Sequence, residues 1–102
     1  MRRRRVVFSS EAEADLTGLF EWIATASASP TTALRYVERL EAFCARLEVG
    51  SERGLRRDDV RLGLRVVGFE RRTNVVFIVE ADSVLILRIV HGGRNWEALF
   101  DA

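Results

Sequence analysis

Apolar residues along the chain change their period once. Between residues 10 and 47 they recur every three or four positions, and between 64 and 91 they alternate or run together. Leu16, Leu19, Phe20 and Ile23 therefore share one face of a helix. Ser10 and Glu13 have the spacing of a capping box at its start. The string Thr25-Ala26-Ser27-Ala28-Ser29 interrupts the stripe, and Ser29-Pro30 restarts it, Ser as an N-cap and Pro at a first helical position where no N–H is needed. Ala33, Val37, Leu40, Cys44 and Leu47 form the second stripe, so the two helices make an αα-hairpin. A polar loop rich in Gly and Arg follows over 49–63. Strands are predicted over 64–70, 73–80 and 84–91, joined by tight turns at Arg71-Arg72 and Ala81-Asp82-Ser83. Gly92-Gly93 ends the last strand, and 94–100 reads as a short helix or turn. Residues 2–8 read as one more strand, which must join the same sheet because a lone strand leaves its backbone groups unpaired. The expected class is α+β, a single domain over 1–102: strand, αα-hairpin, three-stranded antiparallel meander and short C-terminal helix, with the helix pair packed on a twisted antiparallel sheet.

Charge adds asymmetry to this picture. All 16 basic residues are Arg and none is Lys, a bias that fits either a GC-rich coding sequence or contacts to phosphate and carboxylate. Residues 2–5 are all Arg, residues 9–52 carry eight acids against three Arg, and residues 53–72 carry seven Arg against three acids. Such basic stretches can steer an acidic protein segment or, secondarily, nucleic acid. One Cys and one His leave no intramolecular disulfide and no ordinary zinc site, and no other cofactor motif is present. The Arg run is followed by only three apolar residues before Ser9, so no export signal is expected, and no apolar run is long enough to span a membrane. The expected location is the cytoplasm.

Three strings, in order along nearly the whole chain, carry a family likeness. The first is Val7-Phe8-Ser9-Ser10-Glu11-Ala12-Glu13-Ala14-Asp15-Leu16, close to F-S-P-x-A-x-x-D-L with Ser10 in place of the Pro. The second is Arg53-Gly54, Arg56-Arg57-Asp58-Asp59-Val60 and Gly63-Leu64-Arg65, close to R-G-x-x-R-x-D-L…G-L-R. The third is Leu87-Arg88-Ile89-Val90-His91-Gly92-Gly93-Arg94-Asn95-Trp96, close to I-L-R-V-x-H-G-x-R-D. Together they resemble the ParE/RelE toxin superfamily, and the second string resembles its ParE branch. The resemblance implies a toxin of a type II toxin–antitoxin module of the plasmid-stabilisation type. It implies neutralisation by an acidic, ParD-like antitoxin in a hetero-oligomer. For the ParE branch it implies inhibition of DNA gyrase by binding; for the RelE branch it implies ribosome-dependent cleavage of messenger RNA. A third reading keeps only antitoxin binding, without toxicity.

The residues discriminate between these branches in part. Metal-free RNA cleavage needs an acid, a base and cations around the phosphate. RelE-like toxins draw these from Lys, Arg and a C-terminal Tyr. This chain has no Lys, its one Tyr is Tyr36 in the second helix, expected away from the sheet, and its C-terminal aromatic is Phe100. A ribonuclease would have to rely on His91, Arg94 and Arg65. His91 alone titrates near neutrality, and the alternative for it is a strand-end His held by a local hydrogen bond. For target or antitoxin binding the candidates are Arg65, Arg88, Arg94, Arg71, Arg72, Trp22 and Trp96. Arg88 interrupts an apolar strand on the face of Val84, Ile86 and Val90, so it needs an anion, either internal, such as Glu80, or external. Arg71 and Arg72 lie in a turn where solvated charge is ordinary. Trp22 falls about 100° off its helix's apolar stripe and should be partly exposed. Its alternatives are an interface anchor and a boundary Trp under the chain's own C-terminal segment. Trp96 either caps the sheet core or meets a partner. Cys44, on an apolar stripe, reads as an inert core thiol.

Overall fold

In the computed structural model, residues 3–100 are described. The order is β1 (Arg5–Phe8), α1 (Ser10–Ser27), α2 (Pro30–Ala45), a 3-10 turn (Arg46–Glu48), β2 (Leu55–Arg56), β3 (Leu64–Phe69), β4 (Thr73–Val79), β5 (Ser83–His91) and a second 3-10 turn (Trp96–Phe100). The strands form one sheet in the order β1-β5-β4-β3-β2. The meander β3-β4-β5 is antiparallel, as expected, but β1 runs parallel to β5, so the sheet is mixed. The two-residue β2 was not legible in the loop over 49–63. It pairs with β3, and Gly54 just before it permits the approach: a Cβ there would stand 2.5 Å from the Val66 carbonyl oxygen, and its φ of +81° suits Gly alone.

Helix ends depart from expectation by one residue. The N-cap of α1 is Ser9, whose Oγ accepts the Ala12 N–H, and the Ser10–Glu13 capping box does not form; Ser10 Oγ donates instead to the Glu11 carboxylate. Ser9 wins because it is the last extended residue (φ −66°, ψ 163°), while Ser10 is already helical. Ser29 caps α2 with Pro30 behind it, as expected. The β3–β4 turn is centred on Glu70 and Arg71 rather than Arg71-Arg72. Both have positive φ (49° and 62°), and the Arg72 N–H donates to the Phe69 carbonyl, which makes a type I′ turn from residues that pay a steric cost for it.

Two apolar clusters flank the sheet. Leu19, Leu40, Cys44 and Leu47 from the helical layer meet Phe69, Val75, Phe77, Val84, Ile86 and Ile89. The other face carries Leu64, Val76 and Val90 under Trp96, with Val60 and Phe100 beside them. Phe77 is fully buried, worth about 1.5–3 kcal/mol of apolar transfer. Burial drives the Cys44 thiol up to about 12, so it stays protonated. Tyr36 is not remote from the sheet: its hydroxyl is 2.7 Å from Thr73 Oγ1 on β4, and its ring meets Phe69 edge-on.

The β5 edge shows how α1 is locked in place. β1 ends at Phe8, opposite Ile86, and leaves the rest of that edge unpaired. Ser9 Oγ then donates to the Leu87 carbonyl, and the Asp15 carboxylate accepts the Ile89 N–H. Side chains at the start of α1 thus replace the missing strand. Leu87 is an extra residue in the register, a bulge between the Val76–Arg88 and Phe77–Ile86 pairs. The bulge shifts the alternation, so Arg88 does not share the face of Val84 and Ile86. Its anion is Asp15, not Glu80, in a two-bond contact of 2.8 and 2.9 Å. That carboxylate, by hydrogen bond and charge, holds the Arg88 guanidinium above its ordinary range.

Candidate functional site

The C-terminal half of α1, the end of β5 and the β3–β4 turn enclose a groove. Trp22, 53% exposed, leans on His91 with ring centroids 4.5 Å apart and planes tilted by 59°. The pair divides the groove. One hollow, about 360 Å³, is lined by Ile23, Ala26, Tyr36, Glu70 and Arg72. The other, about 280 Å³, is lined by Ala14, Asp15, Gly18, Leu19, Ile89 and Arg94. A larger hollow of about 430 Å³ among Arg3, Arg4, Arg5 and Glu48 contains none of the candidate residues and is walled by a salt-bridged, solvated Arg run.

His91 is part-exposed, yet both ring nitrogens are covered and find no hydrogen-bond partner among the described residues. The local hydrogen bond expected for a strand-end His is therefore not made. Burial first, then the charges of Arg72 and Arg94, press the imidazole below its ordinary value of 6.5, so it is neutral at physiological pH. A neutral ring keeps one N–H, and leaving that donor unpaired costs about 1–3 kcal/mol. The groove thus holds an unused donor and acceptor between two cations. Arg72 and Arg94 are exposed, and neither makes an ion pair with a described residue.

The remaining candidates are placed elsewhere. Arg65 lies on β3 at the opposite end of the sheet, in a hollow with Glu52, Arg56 and Glu80, and donates to the Arg53 carbonyl. It pairs with Phe77 while His91 pairs with Thr73. Four residues of strand, about 13 Å, and two strand spacings, about 10 Å, therefore separate Arg65 from His91. Of the trio His91, Arg94 and Arg65, only the first two meet. Arg88 is taken up by Asp15, and Arg71 is exposed in the I′ turn. Trp96 is 7% exposed and caps the sheet face opposite the helices, beneath the Arg57 guanidinium at 5.2 Å. Gly18 and Asp15 were missed. A Gly at the middle of a helical stripe was the available signal for the first, and the D-L of the first family string was the signal for the second. Among the described residues no group of three or more His, Cys, Asp or Glu could hold a metal ion, and no helix is long and apolar enough to cross a membrane.

The fold is similar to two solved structures. A chain of the chromosomal ParDE TA system from P. aeruginosa superposes with a TM-score of 0.76 at 24% identity, over 88% of this chain and 97% of that one. A chain of the toxin–antitoxin complex RelBE2 from Mycobacterium tuberculosis superposes with a TM-score of 0.54 at 22% identity, over 87% of this chain and 98% of that one. No curated protein matches the chain closely enough to count as a relative. The family profile for the ParE toxin of the type II toxin–antitoxin system parDE matches residues 6–96. That span runs from β1 to Trp96 and takes in all three sequence strings and both walls of the Trp22–His91 groove, so the chain belongs to the ParE toxin family of type II toxin–antitoxin systems.

Proposed function

We propose that the chain arrests growth by binding DNA gyrase in the cytoplasm, performs no chemistry of its own, and is neutralised by an acidic, ParD-like antitoxin. The observation that carries this reading is the ParE family match over residues 6–96. The site geometry supports the non-catalytic part. Its one group that titrates near neutrality is a covered imidazole with no acid or base partner, and Arg65 is too far away to join it. The sheet face opposite the helices is filled by Leu64, Val76, Val90 and Trp96, which leaves no polar cleft for a ribose and phosphate. The antitoxin part is supported by the two structural relatives, which are described as toxin–antitoxin assemblies.

The test is a supercoiling and DNA-cleavage assay with purified gyrase and the purified chain. Loss of supercoiling with accumulation of protein-linked double-strand breaks is expected, and the antitoxin should reverse it. Unimpaired supercoiling, together with cleaved messenger RNA in translating extracts, would replace this reading with the ribonuclease.

A further inference from the structure

Gly18 occupies the middle of α1, where Gly is the least helix-favouring choice after Pro. Nothing in this chain demands it. Its backbone is helical, and a Cβ added there would meet no atom within 4 Å. One turn before it stands Ala14 and one turn after it Trp22, so the exposed strip of α1 beside β5 is floored by small residues and ends in a large, half-exposed aromatic. The opposite wall is Ile89, His91 and Arg94.

Charge sets this groove apart from the rest of the surface. Arg3, Arg39, Arg56, Arg57 and Arg88 each hold a carboxylate of this chain within 3.1 Å. Arg94 and Arg72, at the two ends of the groove, hold none among the described residues. The covered nitrogens of His91 add hydrogen-bonding capacity that the chain leaves unused.

We propose that the groove between α1 and the end of β5 seats an amphipathic helix of the acidic partner chain, which crosses closest at Gly18, lays an apolar side chain on Trp22 and sets a carboxylate on Arg94. This rests on the antitoxin reading above. The small floor admits a backbone at close range, the exposed indole supplies the anchoring area, and the unpaired cations fix the sign of the partner. A nucleic-acid strand fits less well. The floor is apolar, Asp15 lines it, and cations stand only at its ends, whereas a phosphate backbone calls for a continuous basic track.

The experiment uses the full chain and, as probe, the product of the adjacent reading frame. Affinity is measured by calorimetry for the unmodified chain, Gly18→Gln and Arg94→Glu. Gly18→Gln should weaken binding at least tenfold without lowering the thermal midpoint, because Gln favours the helix more than Gly does. Arg94→Glu should weaken it by a similar factor and flatten its salt dependence. If both variants bind within twofold of the unmodified chain, the groove is not the seat, even though the antitoxin reading stands. If the unmodified chain does not bind the neighbouring product, the antitoxin reading fails and the proposal falls with it. A toxin that is dimeric alone by light scattering, and monomeric as Gly18→Gln, would instead assign the groove to a second copy. Should Gly18→Gln fail to fold, Arg94→Glu, in an exposed turn, decides the matter alone.

Discussion

Two corners of the molecule use arginine in opposite ways. In the segment between β2 and β3, Arg56 holds Asp58, and Arg57 holds Asp59 and Glu97 while covering the Trp96 ring. Asp58 also accepts the Gly63 N–H; this bond and Arg56 keep its carboxyl below the usual range. Every charge there is turned onto the chain itself. At the other corner Arg72 and Arg94 flank a covered His91 and a half-exposed Trp22, and no described acid answers them. The first corner closes a loop over the sheet. The second leaves charge and aromatic surface available to another molecule. Arg content alone does not separate the two; pairing does.

The two tryptophans give the strongest way to break this contrast. Trp96→Ala should cost about 3–4 kcal/mol of stability, read from urea unfolding, because a buried indole leaves a cavity. Trp22→Ala should cost less than about 1 kcal/mol and instead weaken antitoxin binding. Equal stability losses for the two would dissolve the distinction. Next in size is Asp15→Ala, expected to cost about 2 kcal/mol, since it strands Arg88 and leaves the Ile89 N–H without a partner at the sheet edge. A chevron or equilibrium melt matching the unmodified chain would show that α1 is held by packing alone. Gly18→Ala should gain about 1 kcal/mol, because nothing crowds the added methyl group and Ala is the better helix former. A loss there would place an intramolecular demand on Gly18.

The smallest effect concerns pH. The folded imidazole of His91 lies below its unfolded value of 6.5, so below that pH the unfolded chain binds the proton first. Stability should therefore hold above pH 6.5 and decline as pH falls through the folded value, before the carboxylates titrate. His91→Gln should flatten that limb of a urea-midpoint profile. An unchanged slope would mean that burial does not restrain this ring.

Element order and type were legible because the hydrophobic period changes cleanly and Ser29-Pro30 punctuates the hairpin. The β1 direction was not, since local sequence says that a strand needs partners without saying which edge it joins. The Leu87 bulge was equally silent, and it is the reason that Arg88 was assigned to the wrong face. The capping-box spacing at Ser10 and Glu13 misled because Ser9, one residue earlier, could cap equally well and its backbone was extended. At the candidate site, exposed Trp22 followed from its angular offset alone. Its contact with His91 did not, because the two residues are 69 positions apart and meet only once α1 docks on β5. Several positions in the family strings proved architectural: Gly54 under Val66, Asp58 on Gly63, Asp15 on Ile89.

Pulse-labelling of DNA and protein synthesis, in the first minutes after this chain is produced without its antitoxin, tests the central claim most directly. A toxin that acts by binding gyrase should halt DNA synthesis while translation continues, and His91→Gln should leave that effect intact. Early arrest of translation, abolished by His91→Gln, would contradict the account and make His91 a catalytic residue.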